Sequence, residues 1–459
     1  PAQAAKLLCG PCTQNQRRPL PGQRCTAMLP DEEDEHLFFF VNPKSGGNVG
    51  ESLLKIPQPF RTTIPLSRKA VSLHVFSLLD GKSGQKPGFI FLKRILSTSS
   101  WVRVFVGGGD GTVMWVLREA ESHQINPETM GIGMVPLGTG NDFSQSLGWG
   151  GKNPDADALL RDDCAMLKAM LTDWYKAEWK MQDVWKVSVK VHEQDGFFYS
   201  KDKELRLEDG TEMRDLETYM LMYCGIAKDA ELAYNVELRR TKSQCLNKLV
   251  YIWQGLMISL HFFCCMGQRV QRVLRGLYHG TSREAPPVFE VGIHCKGPRL
   301  YSNPEMLLCL NINSYAGGAA PNLWSASWRH GTSQPLCEDL LETEQDPGDK
   351  QLEVLTLSRL LRAAMPPTQQ VLGGRRVFQG APLHFEFKQR NYRDVITFFQ
   401  VDGESYKLQN PISLTIQHHR QIRVLAKAHG SRLGGCCGSS LLCHTSESEA
   451  ESTTDCEAP

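Results

Sequence analysis

The sequence has no excess of charge of either sign: 51 Lys and Arg stand against 50 Asp and Glu in 459 residues. Nucleic-acid binders usually carry a basic surplus, so no nucleic-acid partner is expected. A regular cysteine framework is also missing. The 15 cysteines are odd in number and unevenly spaced, which suits a reducing compartment better than a disulfide scaffold. Cys9-Gly10-Pro11-Cys12 has the spacing of a redox or half-zinc pair, yet no second pair stands near it to complete a metal site. No secretory signal opens the chain, which starts at Pro1 rather than Met, as a fragment of a longer protein would. The strongest apolar run, Leu249 to Met266, is interrupted by Gln254, Ser259 and His261. Its length sits at the bottom of the spanning range, and it reads as a buried or interfacial helix. There is no repeat of fixed period, no Gly-x-x-x-x-Gly-Lys-Ser/Thr loop and no dinucleotide fingerprint.

What is present can build more than one core, with 41% hydrophobic and 22% charged residues. Residues 1–36 are polar, contain proline and end in the acidic run Asp31 to Glu35, so they read as a disordered, solvated tail. Residues 37–180 alternate strands and helices. Leu37 to Val41 is a continuous apolar run, as expected of a strand covered on both faces. Further strands are expected at Leu73 to Leu78, Val102 to Val106 and Gly131 to Val135, with a helix over Val113 to Glu121. Glycines cluster at the strand ends, the pattern of an open α/β sheet whose site lies there. Residues 181–426 change character, with short alternating segments such as Trp185 to Val191, Met306 to Ile312, Leu352 to Leu357, Leu383 to Phe387 and Ile412 to Ile416. These predict a larger, β-rich, sandwich-like domain that closes the site. Residues 195–215 read as a surface loop, and residues 427–459 as a disordered tail rich in Cys, Ser and acid.

The chemistry gathers at three strand ends. Gly107-Gly108-Gly109 lets main-chain amides approach an anion, because no Cβ intervenes. The helix that follows presents its N-terminus, where unpaired N–H groups favour a phosphate. Asp110 is placed to hold Mg²⁺, directly or through water, and Thr112 can donate to phosphate. Gly138-Thr139-Gly140-Asn141 is a second loop of the same kind, and Lys44, after the first strand, can neutralise phosphate charge. Any one of these could be a plain tight turn; three at neighbouring strand ends point to a phosphate site. Val401-Asp402-Gly403-Glu404, taken alone, reads as a hairpin with Asp-Gly at its tip.

Read together, these segments resemble the diacylglycerol kinase family, within the larger group that includes sphingosine, ceramide and bacterial lipid kinases. The carrying residues are Val41 to Gly47, Gly108 to Val113 and Pro136 to Phe143, with Lys86-Pro87-Gly88 and Trp115-Val116-Leu117 between them. Downstream, Lys228-Asp229-Ala230, Asn247-Lys248-Leu249, Asn311 to Trp324 and Val401 to Glu404 match the family's accessory region. The likeness runs over residues 37–425 with its motifs in order. It implies an ATP- and Mg²⁺-dependent transfer of phosphate to the free hydroxyl of diacylglycerol, giving phosphatidic acid. Asn42, Lys44, Gly107, Gly108, Gly109, Gly111, Thr112, Gly138, Thr139, Asn141 and Asp142 would form the nucleotide site. Asp110 would serve catalysis and the metal, Asp229 would hold a metal network or cap a helix, and Glu404 would be the general base.

Some positions depart from the family pattern. Ala227-Lys228 stand where Gly-Val is usual, and Leu221 and Met222 stand where asparagines usually precede the aromatic at 223. The Cys9/Cys12 and Cys436/Cys437 pairs lack the histidines and spacing of a zinc-bearing regulatory module. The resemblance implies a cytoplasmic enzyme, peripheral at the membrane surface, with Leu249 to Met266 as one candidate contact. Cys436-Cys437 is a candidate for acylation, and Ser446, Ser448, Ser452 and Thr453 for phosphorylation. A sphingoid or ceramide kinase, an NAD kinase and a catalytically silent lipid-binding scaffold stay as alternatives. Acyl-chain preference, regulator, organelle and any oligomer of identical chains stay open.

Overall fold

The computed structural model describes residues 34–428, apart from 66, 240–249, 251–252, 255–267, 293–294, 296, 359–373 and 390–393. Its first part is built on strands β1 (Glu35–Val41), β2 (Phe60–Thr63), β3 (Ala70–Ser77), β4 (Val102–Gly108) and β5 (Met130–Pro136). β1 pairs in parallel with β3 and β4, and β4 with β5, while β2 runs antiparallel to β3 at the edge. Helices α1 (Val49–Leu53), α2 (Pro87–Leu96), α3 (Gly111–Ser122), α4 (Asp142–Ser146), α5 (Ala156–Leu160) and α6 (Ala165–Lys176) accompany the sheet.

The apolar run in β1 divides between two cores because successive side chains point to opposite faces. Phe38 and Phe40 pack with Phe89, Leu92, Val113 and Val116 of α2 and α3. Leu37, Phe39 and Val41 pack with Phe105 and with Leu171 and Trp174 of α6. The Phe105 and Trp174 rings stack at 4.0 Å. Parallel strands end on a common edge, so Val41, Gly108 and Pro136 deliver their following loops to one place.

The second part adds β6 (Glu178–Val191), β7 (Phe197–Ser200), β8 (Lys203–Glu204), β9 (Asp215–Met220), β10 (Tyr223–Ala227), helix α7 (Lys228–Leu238), β11 (Leu274–His279), β12 (Pro287–Glu290), β13 (Met306–Leu310), β14 (Glu353–Leu357), β15 (Gly374–Gln379), β16 (Leu383–Phe387), β17 (Ile396–Val401), β18 (Glu404–Gln409) and β19 (Pro411–Ala426). One antiparallel sheet has the order β15-β14-β13-β10-β17-β18-β7-β8. The remaining strands join the first sheet. β19 pairs with β16 near its start, with β6 along its length, and in parallel with β5 through Arg423 and Val424 near its end. The two halves are therefore sewn together by β19, and the first sheet continues through both.

Three expectations change. Asp34, assigned to a solvated tail, is 8% exposed. Its carboxylate accepts from Ser72 at 2.7 Å and Arg61 at 2.8 Å. Burial alone would raise its pKa, but these donors bring it below the usual carboxylate value. Residues 195–215 are not a loop throughout: β7 and β8 pair with each other, and β7 extends the second sheet beside β18. Phe198 drives this, fully buried in the second core. Lys427 is anchored, its N–H donating to the Leu147 carbonyl at 2.8 Å.

Candidate active site

The loop after β1 is shaped by its own side chain. Asn42 accepts the Lys44 N–H at 3.1 Å, and the Asn42 N–H donates to the Gly107 carbonyl at 2.8 Å. Lys44 is exposed beside this turn. The next two glycine loops lie against each other. A Cβ on Gly138 would come within 2.7 Å of the Gly109 Cα, so main chain meets main chain there with no room for a side chain. Thr112 is 7% exposed and fills the space beside Gly108, while its N–H closes on the Gly109 carbonyl at 2.9 Å. Gly111 opens α3 directly after Asp110.

Asp110 joins the two loops: its Oδ1 accepts the Phe143 N–H at 3.1 Å. Burial first, then the charge of Asp142, push its pKa up to about 6, against the pull of the amides of Phe143, Asp142 and Asn141.

The side chains of Asn141 and Asp142 face protein. Asn141 is fully buried with φ 56°, accepts the Gly138 N–H at 2.7 Å, and donates to the carbonyls of Gly138 at 3.0 Å and Gly151 at 2.9 Å. Asp142, 1% exposed, accepts from the Ser314 hydroxyl at 2.8 Å, the Gly317 and Gly318 N–H groups at 2.9 and 3.1 Å, and the Tyr223 hydroxyl at 3.2 Å. Both side chains were expected to line a nucleotide. Their polar atoms are committed to shaping the loop and to joining it to the second half. Thr139 remains half-buried on that loop.

Asp229 lies between α7 and the second sheet. It stands in the first turn of α7, makes no helix-capping bond and is 5% exposed. One oxygen accepts from the Tyr315 hydroxyl and the other from the Gln400 amide. Burial raises its pKa, with Tyr315 and Gln400 opposing. Gly225 leaves the room it needs, since a Cβ there would fall 1.9 Å from the carboxylate. The segment Ser314 to Gly318 thus braces Asp142 on one side and Asp229 on the other. Among the described residues no group of three or more His, Cys, Asp or Glu is arranged to enclose a metal.

Asp402 and Gly403 form the tip between β17 and β18, and Glu404 begins β18, exposed, accepting from the Tyr406 hydroxyl at 3.2 Å. The hairpin reading of this segment and the placement of Glu404 therefore coexist. Asp402 was absent from the expected site, yet its pKa is pushed up to about 7 by burial and, after three opposing amides, by the charge of Asp110. The turn is joined to the end of the second glycine loop through Tyr223, whose N–H donates to Asp402 and whose hydroxyl donates to Asp142. Asn42, Lys44, the glycines at 107–109, 111 and 138, Thr112 and Thr139 stand at the strand ends or at the start of α3; Asp110 and the Glu404 turn are linked from opposite halves through residues 142–143 and Tyr223. Tyr223, Ser314, Tyr315 and Asp402 are added by the structure. Ser314, Tyr315 and Asp402 lie in segments that carried the family resemblance, but nothing in those segments assigned them a site role, and the Asp402 signal also reads as a plain turn.

A model of the diacylglycerol kinase catalytic domain matches residues 36–166, and one of the diacylglycerol kinase accessory domain matches residues 219–405. The first holds the glycine loops and Asp110; the second ends just beyond Glu404. The chain belongs to the diacylglycerol kinase family. It is 28% identical to diacylglycerol kinase 2 of Arabidopsis thaliana, over 85% of this chain and 46% of that protein. It is 26% identical to probable diacylglycerol kinase 3 of Caenorhabditis elegans, over 88% and 45%. To diacylglycerol kinase theta of Mus musculus it is 30% identical, over 67% and 28%. The chain thus spans about half the length of these relatives, or less.

The family's usual glycine at position 227 has a visible reason. Ala227 sits at φ 76°, ψ −127°, a conformation that glycine adopts far more easily. Lys228, the second departure, is 2% exposed and paired with Glu305 at 3.0 Å. Leu221 and Met222, each 1% exposed, are core side chains here.

Proposed function

We propose that the chain transfers the γ-phosphate of ATP to the free hydroxyl of diacylglycerol, giving phosphatidic acid. The observation that carries this is the hydrogen-bonded link, through Asp142 and Tyr223, between the paired glycine loops that hold Asp110 and the turn that bears Glu404 in the other half of the molecule. The loops offer main-chain amides and a helix N-terminus to the nucleotide phosphates, with Lys44 adding positive charge. Glu404 takes the proton as the acceptor oxygen forms its bond to the γ-phosphorus and the bond to ADP breaks. Its exposure leaves it open to a lipid headgroup arriving from a bilayer.

Asp110 is the residue that would hold Mg²⁺, with water and the phosphates completing the shell, as is usual for this ion. The bound ion would neutralise developing charge on the phosphates. The rest follows from placement: the loops fix the phosphates, and the Glu404 turn fixes the acceptor. A peripheral site at a cytoplasmic membrane surface belongs to the same proposal, since the acceptor resides in a bilayer. No described helix is long and apolar enough to cross a membrane. Leu249 to Met266, Cys436-Cys437 and the serines of the C-terminal segment lie wholly or largely outside the described residues.

The test compares wild type with Asp110→Ala and Glu404→Gln in γ-phosphate transfer to diacylglycerol in mixed micelles. The expected outcome is a loss of kcat of roughly 10²-fold or more in each, within the usual range for an acid–base residue. Wild-type rates in both would exclude these roles. Lipid binding without transfer in wild type would favour a silent scaffold.

A further inference from the structure

The turn that carries Glu404 is held in place by the residue two before it. Asp402 and Gly403 both have positive φ, 51° and 83°, which suits a tight hairpin between twisted strands. Such a tip fixes Glu404 relative to β17 and β18, but not relative to the glycine loops. The second register comes from the Asp402 carboxylate. Its Oδ2 accepts the Leu221 N–H at 2.7 Å, and its Oδ1 accepts the N–H groups of Met222 at 2.9 Å and Tyr223 at 3.0 Å. The Asp402 N–H returns a bond to the Tyr223 carbonyl at 3.0 Å. Hydrogen bonds to an ionised carboxylate are about twice as strong as neutral ones.

The clamp continues toward the nucleotide side. Tyr223 donates its hydroxyl to Asp142, which follows directly on Asn141 of the second glycine loop. Turn, strand connection and glycine loop thus form one connected set of hydrogen bonds across the two halves. A hairpin tip alone would not need a carboxylate, because Asn-Gly serves that turn equally well. Burial makes this carboxylate electrostatically costly, and groups held at such a cost concentrate at functional sites.

We infer that Asp402 is the positioning residue for Glu404, setting its carboxylate against the glycine loops through the amides of residues 221–223. The inference rests on the phosphoryl-transfer reading, in which Glu404 takes the acceptor proton. Asp402→Asn keeps the tip but turns an amide NH₂ toward one of the main-chain donors. Gly403→Ala is a second variant: its Cβ meets nothing within 4 Å, so it strains only the backbone of the turn.

The experiment measures kcat for diacylglycerol, and separately the dissociation constant of a fluorescent ATP analogue, in each variant alone and combined with Glu404→Gln. A displacement of about 1 Å predicts a loss in kcat on the order of 10²-fold with nucleotide affinity unchanged. In the Glu404→Gln background neither change should cost anything further, because residues acting as a unit are non-additive. Additive losses, or a loss of nucleotide affinity matching the loss of kcat, would overturn the inference alone. A wild-type rate in Glu404→Gln by itself would remove the base reading, and the inference with it.

Discussion

Gly138→Ala puts one methyl group where the two glycine loops touch. The new Cβ would lie 2.7 Å from the Gly109 Cα and 2.8 Å from the Asn141 side-chain oxygen. Carbon atoms rest at about 3.5–4.0 Å, so the loops must separate by roughly 1 Å. Both obstacles resist, one being main chain and the other a buried side chain holding three hydrogen bonds. Overpacking of this kind costs about 1–3 kcal/mol of stability. The same displacement at a phosphate cradle predicts a fall in kcat on the order of 10²-fold. Gly111 supplies the contrast in stability: a Cβ there meets nothing within 4 Å, and the residue begins a helix. Gly111→Ala is expected to leave the melting temperature level or raise it, since alanine is favoured over glycine in helices by about 1 kcal/mol. Calorimetry and single-turnover phosphate transfer read both effects. Gly138→Ala with wild-type Tm and wild-type turnover would refute the idea that the loops are pressed together.

Relief of the backbone at Ala227 gives a second expectation: Ala227→Gly should stabilise the protein by about 1 kcal/mol in denaturant unfolding, whereas destabilisation would contradict the positive φ. Lys228→Met removes the ammonium that pairs with Glu305 in the interior and should cost about 3–5 kcal/mol, read by the same measurement; a cost below about 1 kcal/mol would dismiss the pair as a stabilising contact. Glu353 sets a pH dependence. Burial pushes its pKa up to about 8, against the amides of Gln379 and Gln345. The unfolded group releases its proton near 4.5 while the folded one keeps it, so stability falls as pH rises between those values and levels off above about 8. Over that window Glu353→Gln should show a shallower decline in Tm than wild type, and parallel declines would dismiss the assignment.

The parts legible in the sequence were those with local causes. Leu37 to Val41 and Val102 to Val106 read as strands because a strand covered on both faces has no polar positions, and the glycines after Val106 and Leu137 mark loops that no other residue could build. The Asp402-Gly403 tip was legible for the same reason. What was hidden depends on partners far along the chain. Asp142 meets Ser314 and Asp229 meets Gln400, separations of 172 and 171 residues, and nothing near either aspartate announces them. Asp34 was assigned to a tail because its acidic neighbours outweighed it, while its partners Arg61 and Ser72 come from the edge strand β2 and its neighbour β3. The β7–β8 hairpin escaped because the charged, glycine-containing sequence around it outweighed the short aromatic run of β7, whose Phe198 points into the second core. Asn141 and Asp142 belong to a motif whose side chains were expected to face the nucleotide; only the packed loop shows them turned inward.

The most direct measurement offers the full chain γ-labelled ATP and Mg²⁺ with diacylglycerol, monoacylglycerol, sphingosine and ceramide in separate mixed micelles, then identifies the labelled product. The chemistry set out above predicts label in phosphatidic acid with diacylglycerol as the preferred acceptor. Label on a sphingoid base or ceramide instead, or on no lipid at all, would contradict it.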